Sequence, residues 1–147
     1  MKLYTIGFTK KTAEQFFTLL RDNGVDVLVD IRLKPDSQLS GFAKGRDLPY
    51  FLKNLANCDY RHMLSMAPTD DILSEYRGSK GSWQEYEIAF NQLLEERNLI
   101  AELDKSWWEA HAACLLCSEH EPDHCHRRLV AEYLAKHWSE MEIHHLM

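Results

Sequence analysis

The most reactive stretch of this chain is Cys125-His126-Arg127-Arg128, placed where a polar loop gives way to a helical pattern. A helix N-terminus carries unpaired amides and a partial positive charge. A cysteine there loses its proton more readily, and the thiolate is both nucleophile and metal ligand. The same amides, with a guanidinium beside them, bind phosphate or carboxylate. Cys125 is therefore the expected thiolate, with His126 to activate it. Glu119 and Asp30 are the carboxylates that would move protons, completing the catalytic set. Gly7, Arg32, Ser37, His62 and Arg127 are the expected substrate contacts, and Cys117 is a candidate resolving thiol.

Blander roles compete with each of these. Asp30 and Arg32 stand two apart on a strand, hence on one face, where they make either a fold-stabilising ion pair or part of the site. His62 fits a packed strand end as well as a catalyst. Trp83, Trp107 and Trp108 fit core or rim packing better than stacking on a ligand. Cys114-x-x-Cys117 looks like half a zinc site, yet residues three apart on a strand face opposite sides. A zinc or iron centre would instead use Cys117, Cys125 and His126, with Asp30 or His62 as a fourth ligand. This is the alternative to a site without cofactor.

Bringing these residues together requires particular elements. Leu3–Ile6 is a short apolar run closed by Gly7. Thr12-Ala13-Glu14-Gln15 is a capping box opening a helix that Asn23-Gly24 ends. Val25–Ile31 is β-branched and almost wholly apolar, as a strand covered on both faces should be. Asp47 is placed to cap a helix running to about Asn57, with Tyr50, Phe51 and Leu55 inward. Asp59–Met63 reads as a third strand. Thr69 caps the next helix, and Ser82-Trp83-Gln84-Glu85 is a second capping box, followed by Ile88, Leu93 and Leu94 on a helix as far as Arg97. Ala112–Cys117 is a strand, Ser118–His124 a loop, Arg127–His137 a helix and Glu142–Leu146 a last strand. Strands and helices alternate throughout. The expected fold is α/β: one domain, residues 1–147, in three layers with a mostly parallel sheet of about five strands. In such a sheet ligands gather at the carboxyl ends of the strands. Gly7, Asp30, Arg32, His62, Cys117 and Glu119 all lie there.

The 147 residues carry a net charge of −6, which speaks against tight non-specific nucleic-acid binding, so nucleic acid is a disfavoured partner. No window is long and apolar enough for a membrane helix and no signal peptide is visible, so a cytoplasmic location is expected. Four cysteines in such a chain are thiols or ligands before they are disulfides. A homodimer is admitted but not required.

The run Cys117-x-Glu119-x-x-Pro122-x-x-Cys125-His126-Arg127 resembles the signature of domain-of-unknown-function family 488. Thr5-Ile6-Gly7 and Val29-Asp30-Ile31-Arg32-x-x-Pro35-x-Ser37 carry the same resemblance, and Ala67-Pro68-Thr69 with Trp83-x-x-Tyr86 resembles one branch of it. The resemblance implies a compact α/β fold with these motifs at one end of the sheet, and it supplies no reaction. The family pattern after the first strand is usually Gly-His-Ser. Here it is Gly7-Phe8-Thr9, so this protein either lacks any duty of that histidine or gives it to His62 or His126. The expected function is an enzyme acting on a small anionic or nucleotide-like substrate. A metal-binding protein and a non-catalytic binding module for nucleic acid or protein are the rivals.

Overall fold

The computed structural model describes residues 1–36, 41–78 and 81–147. Its centre is a five-stranded sheet of β1 (Lys2–Gly7), β2 (Val27–Asp30), β3 (Asp59–His62), β4 (Ala113–Cys117) and β5 (Glu142–Leu146). The spatial order is β3-β2-β4-β1-β5, and every pairing is parallel. Strand β4 lies between β1 and β2, with its five residues all buried. That burial is why Ala-Cys-Leu-Leu-Cys has no polar alternation.

The pleat sends alternate residues to two cores. Tyr4, Ile6, Leu28, Cys114 and Leu116 face α1 (Ala13–Asp22) and α2 (Leu48–Ala56). Leu3, Val27, Val29, Leu115 and Cys117 face the other layer. That layer holds α3 (Asp70–Arg77), α4 (Trp83–Arg97), α5 (Leu99–Glu102), α6 (Lys105–Ala110) and α7 (His126–His137). Cys114 and Cys117 thus lie on opposite faces, as strand alternation requires. Among the described residues no helix is long and apolar enough to cross a membrane.

Local chemistry explains most boundaries. The Thr12 box is complete: Thr12 Oγ1 accepts from the Gln15 amide at 3.1 Å, and Gln15 Oε1 accepts from the Thr12 amide at 2.9 Å. Ser82 accepts from the Glu85 amide at 3.2 Å, the forward half of the second box. Asp47 makes no side-chain cap, because its own backbone is already helical and a proline opens the first turn.

The inward face of α2 differs in part from expectation, since Phe51 packs against the core but Tyr50 and Leu55 do not. In α2 the buried stripe is Leu48, Leu52 and Ala56, while Tyr50 and Leu55 are 70% and 48% exposed. In α4 it is Tyr86, Phe90 and Leu94, and Ile88 is 61% exposed. Both true stripes repeat every four residues along one side; Tyr50 and Ile88 stand on the other, and Leu55 lies at the edge of its stripe. Helices α5 and α6 fill a stretch with no expected element. They bury Leu99 and Trp108 against the same core as α4 and α7.

The register carries the functional consequence. Gly7 pairs with Cys117, and Asp30 pairs with Leu116 on one side and His62 on the other. Four strand ends therefore stop at one edge.

Candidate functional site

The edge begins with a close backbone approach. A Cβ on Gly7 would stand 1.7 Å from the Glu119 carbonyl oxygen and 3.0 Å from Arg127 Nη1, so only glycine fits. The segment after β4 lies directly on the end of β1. It is fastened there by Thr9, whose amide and hydroxyl both donate to the Ser118 carbonyl at 3.1 and 2.9 Å.

Arg127 completes the fastening. It is fully buried, and all three nitrogens are spent. Nε donates to Thr5 Oγ1 at 3.1 Å, Nη1 to the Glu119 carbonyl and Nη2 to the His120 carbonyl at 3.0 Å. The arginine expected to hold substrate is thus a strut for residues 118–120.

Asp30 is equally committed. Its Oδ1 accepts from the Arg32 amide at 3.1 Å and Arg32 Nε at 2.8 Å. Its Oδ2 accepts from Arg32 Nη2 at 2.7 Å and from the Tyr60 hydroxyl at 2.6 Å. Burial, then the bond to Asp30, pushes the Tyr60 phenol well above its ordinary range. Four donors surround a carboxylate with no solvent exposure. Of the two roles open to the Asp-x-Arg pair, Asp30 fills the structural one. Arg32 is different. Its Nη2 also donates to the Ala43 carbonyl at 2.7 Å, but buried Nη1 has no partner among the described residues.

Cys117, Cys125 and His126 are buried together, at 6%, 3% and 7% exposure. His126 Nε2 lies 2.8 Å from the Ile31 carbonyl oxygen. A carbonyl only accepts, so that nitrogen carries the proton and Nδ1 is left as a bare lone pair. Nδ1 lies 3.2 Å from Cys117 Sγ. The two sulfurs and Nδ1 all lie within 4.8 Å of one another. Cys125 holds the N-cap position of α7 but makes no cap bond. Burial, then contact with Cys117, pushes its thiol well above the ordinary value. Burial thus works against the thiolate expected at Cys125, opposing the pull of the helix end. Burial also works against ionisation of Cys117, but the bond from Cys125, the Ser118 amide and the charges of Arg127 and Arg32 together draw that thiol down. His126 is lowered by burial, which keeps it neutral.

These residues line a cleft of about 270 Å³, with Arg32, Ser118 and Glu119 on the sheet side and Tyr76, Arg77, Trp83 and Tyr86 opposite. Glu119 presents an exposed carboxylate at the rim. Trp83 lies between two parallel rings, Tyr86 and His124, each 5.1 Å away. His62 is exposed, hydrogen-bonded to the Arg32 carbonyl at 2.7 Å, and does not line the cleft. Ser37 lies outside the described residues. The cleft wall from α3 and α4 was not expected; Trp83-x-x-Tyr86, two aromatics on one helical face, is the signal that could have found it. A larger groove between α4 and α7, about 560 Å³, offers carboxylates and a lysine but no thiol or imidazole.

Fold and site together define an all-parallel α/β protein with a buried Cys-Cys-His cluster at the carboxyl edge of its sheet. The sequence profile of the family described as "Domain of unknown function DUF488" matches residues 12–134, and the chain belongs to that family. No curated protein and no solved structure matches it.

Proposed function

We propose that the protein is an enzyme that takes a small anionic, nucleotide-sized substrate into the cleft between the sheet edge and helices α3 and α4. One observation carries this: Arg32, whose buried Nη1 has no hydrogen-bond partner among the described residues, lines the same cleft as the Cys117–His126 pair. A buried N–H donor without a partner costs about 1–3 kcal/mol, which a ligand oxygen would offset. Arg32 is held rigidly by Asp30, so it offers a fixed donor at no cost in ordering. Arg77 adds charge on the opposite wall.

Chemistry falls to the sulfur and imidazole. His126 Nδ1 is the base available to Cys117, and together they form the attacking group, as a thiolate or as ligands of a cation-bound water. Glu119, on the rim two residues from Cys117, is the carboxylate that exchanges protons with solvent.

Tryptophan fluorescence tests the binding step, because Trp83 lines the cleft. Titration with inorganic phosphate and with adenosine monophosphate should give a saturable change that disappears in Trp83→Phe. Arg77→Ala should raise the dissociation constant several-fold. A flat response to phosphate, to the nucleotide and to acetate would overturn the proposal.

A further inference from the structure

A thiol mechanism needs Cys117 and His126 and asks of Cys125 no more than a hydrogen bond to Cys117. Its sulfur nevertheless completes a three-donor cluster in which every donor atom is within 4.8 Å of the others. In a tetrahedral zinc site, sulfur lies about 2.3 Å and imidazole nitrogen about 2.0–2.1 Å from the ion, so donors sit roughly 3.5–4 Å apart. The 3.2 Å between Cys117 Sγ and His126 Nδ1 comes close to that spacing with little movement.

We propose that Cys117, Cys125 and His126 hold a thiophilic divalent cation of the zinc class. The proposal deepens the one above, on which its catalytic meaning rests, by naming what the attacking group is attached to.

Three features support it besides the spacing. The imidazole is already in the tautomer a metal requires, with Nε2–H fixed by the Ile31 carbonyl and Nδ1 bare. Two sulfurs and one nitrogen form a soft donor set that selects zinc over magnesium or calcium. The donors come from two rigid elements, the end of β4 and the first turn of α7, with Arg127 bracing the segment between them.

The set is open. Asp30, one expected fourth ligand, is saturated by Arg32 and Tyr60, and His62, the other, does not line the cleft. A fourth position facing the cleft is the arrangement of a catalytic ion rather than a structural one. There it would carry water or a substrate oxygen. Each sulfur gives up its proton on coordination.

The test is elemental analysis of protein isolated without chelator, followed by cobalt titration of the stripped protein. Expected are close to one zinc per chain and, with cobalt, thiolate charge-transfer bands together with the visible bands of a tetrahedral ion. Cys117→Ser and Cys125→Ser should each weaken cobalt binding more than about 100-fold, beyond the cost of losing an outer hydrogen bond. Cys58→Ser, remote from the cluster, should leave it unchanged. Wild-type protein with no stoichiometric metal and no cobalt bands overturns the proposal without recourse to any variant. So does a Cys117–Cys125 disulfide in freshly isolated protein. Cobalt bands with no response to phosphate would leave the metal site standing and remove the anionic-substrate function; the reverse pattern would do the opposite.

Discussion

Two buried polar groups share the carboxyl edge of this sheet and are treated in opposite ways. Around Asp30 every oxygen is matched by a donor from Arg32 or Tyr60, and around Arg127 every nitrogen is matched by an acceptor. Around Cys117, Cys125 and His126, two sulfurs and an unprotonated nitrogen face one another, joined only by weak thiol hydrogen bonds. The first is a frame, whose residues resist change because each holds the next. The second is a cluster of soft donors held by weak bonds that a ligand could replace. Charge and conspicuousness in the sequence do not tell the two apart; the number of unspent donors and acceptors does.

The contrast is sharpest under mutation. Asp30→Ala leaves the Arg32 guanidinium buried without its counter-charge and should lower unfolding free energy by about 3–5 kcal/mol, measured by urea denaturation. A loss under about 1 kcal/mol would make Asp30 a member of the cluster rather than the frame. Gly7→Ala forces a methyl group into the Glu119 carbonyl. It should cost about 1–3 kcal/mol and displace residues 118–120, visible as shifted amide resonances at Ser118 and His120. Cys117→Ala removes a single sulfur and should cost only about 1 kcal/mol in metal-free protein, while abolishing turnover. A large stability loss with turnover intact would reverse the assignment.

The smallest effect concerns the outer end of the frame. Thr5 Oγ1 accepts from Arg127 Nε, so its hydroxyl proton is free to go to His145 Nδ1, 2.6 Å away. That bond needs an unprotonated imidazole. Burial, then the Arg127 charge, lowers the His145 pKa. The unfolded chain therefore takes up a proton at a pH where the folded one does not. Stability is full above the unfolded value of 6.5 and falls as pH drops through it toward the lower folded value. His126 is shifted in the same direction, so His145→Gln should reduce, not abolish, the loss in urea midpoint between pH 7.5 and 5.5. An unchanged slope would detach His145 from the frame.

Much of this edge was legible in the sequence, because strand alternation and strand ends are local properties. They put Asp30 beside Arg32, parted Cys114 from Cys117, and brought Gly7, Asp30 and Cys117 to one level. The role of Arg127 was not legible, since its partners are carbonyls of a loop whose path is set by Gly7 far away in the chain. Nor was the direction in which each of the two thiols is shifted, because both are buried and it turns on the hydrogen bonds and charges around Cys117. The α2 stripe was misjudged in part for a related reason. Tyr50 is a large aromatic like Phe51 beside it, and only the packing partner decides which side turns in.

The placement of β4 between β1 and β2 also governs how the molecule is born. During synthesis the first two strands leave the ribosome early, yet they cannot become neighbours, because the strand that joins them emerges only after five helices and β3. Until then a nascent chain holds β2 with β3 and a β1 that has neither neighbour, the condition that slows folding and invites association between chains. Cys117 ends the inserting strand and Cys125 follows it closely, so the reactive corner assembles with the step that closes the gap.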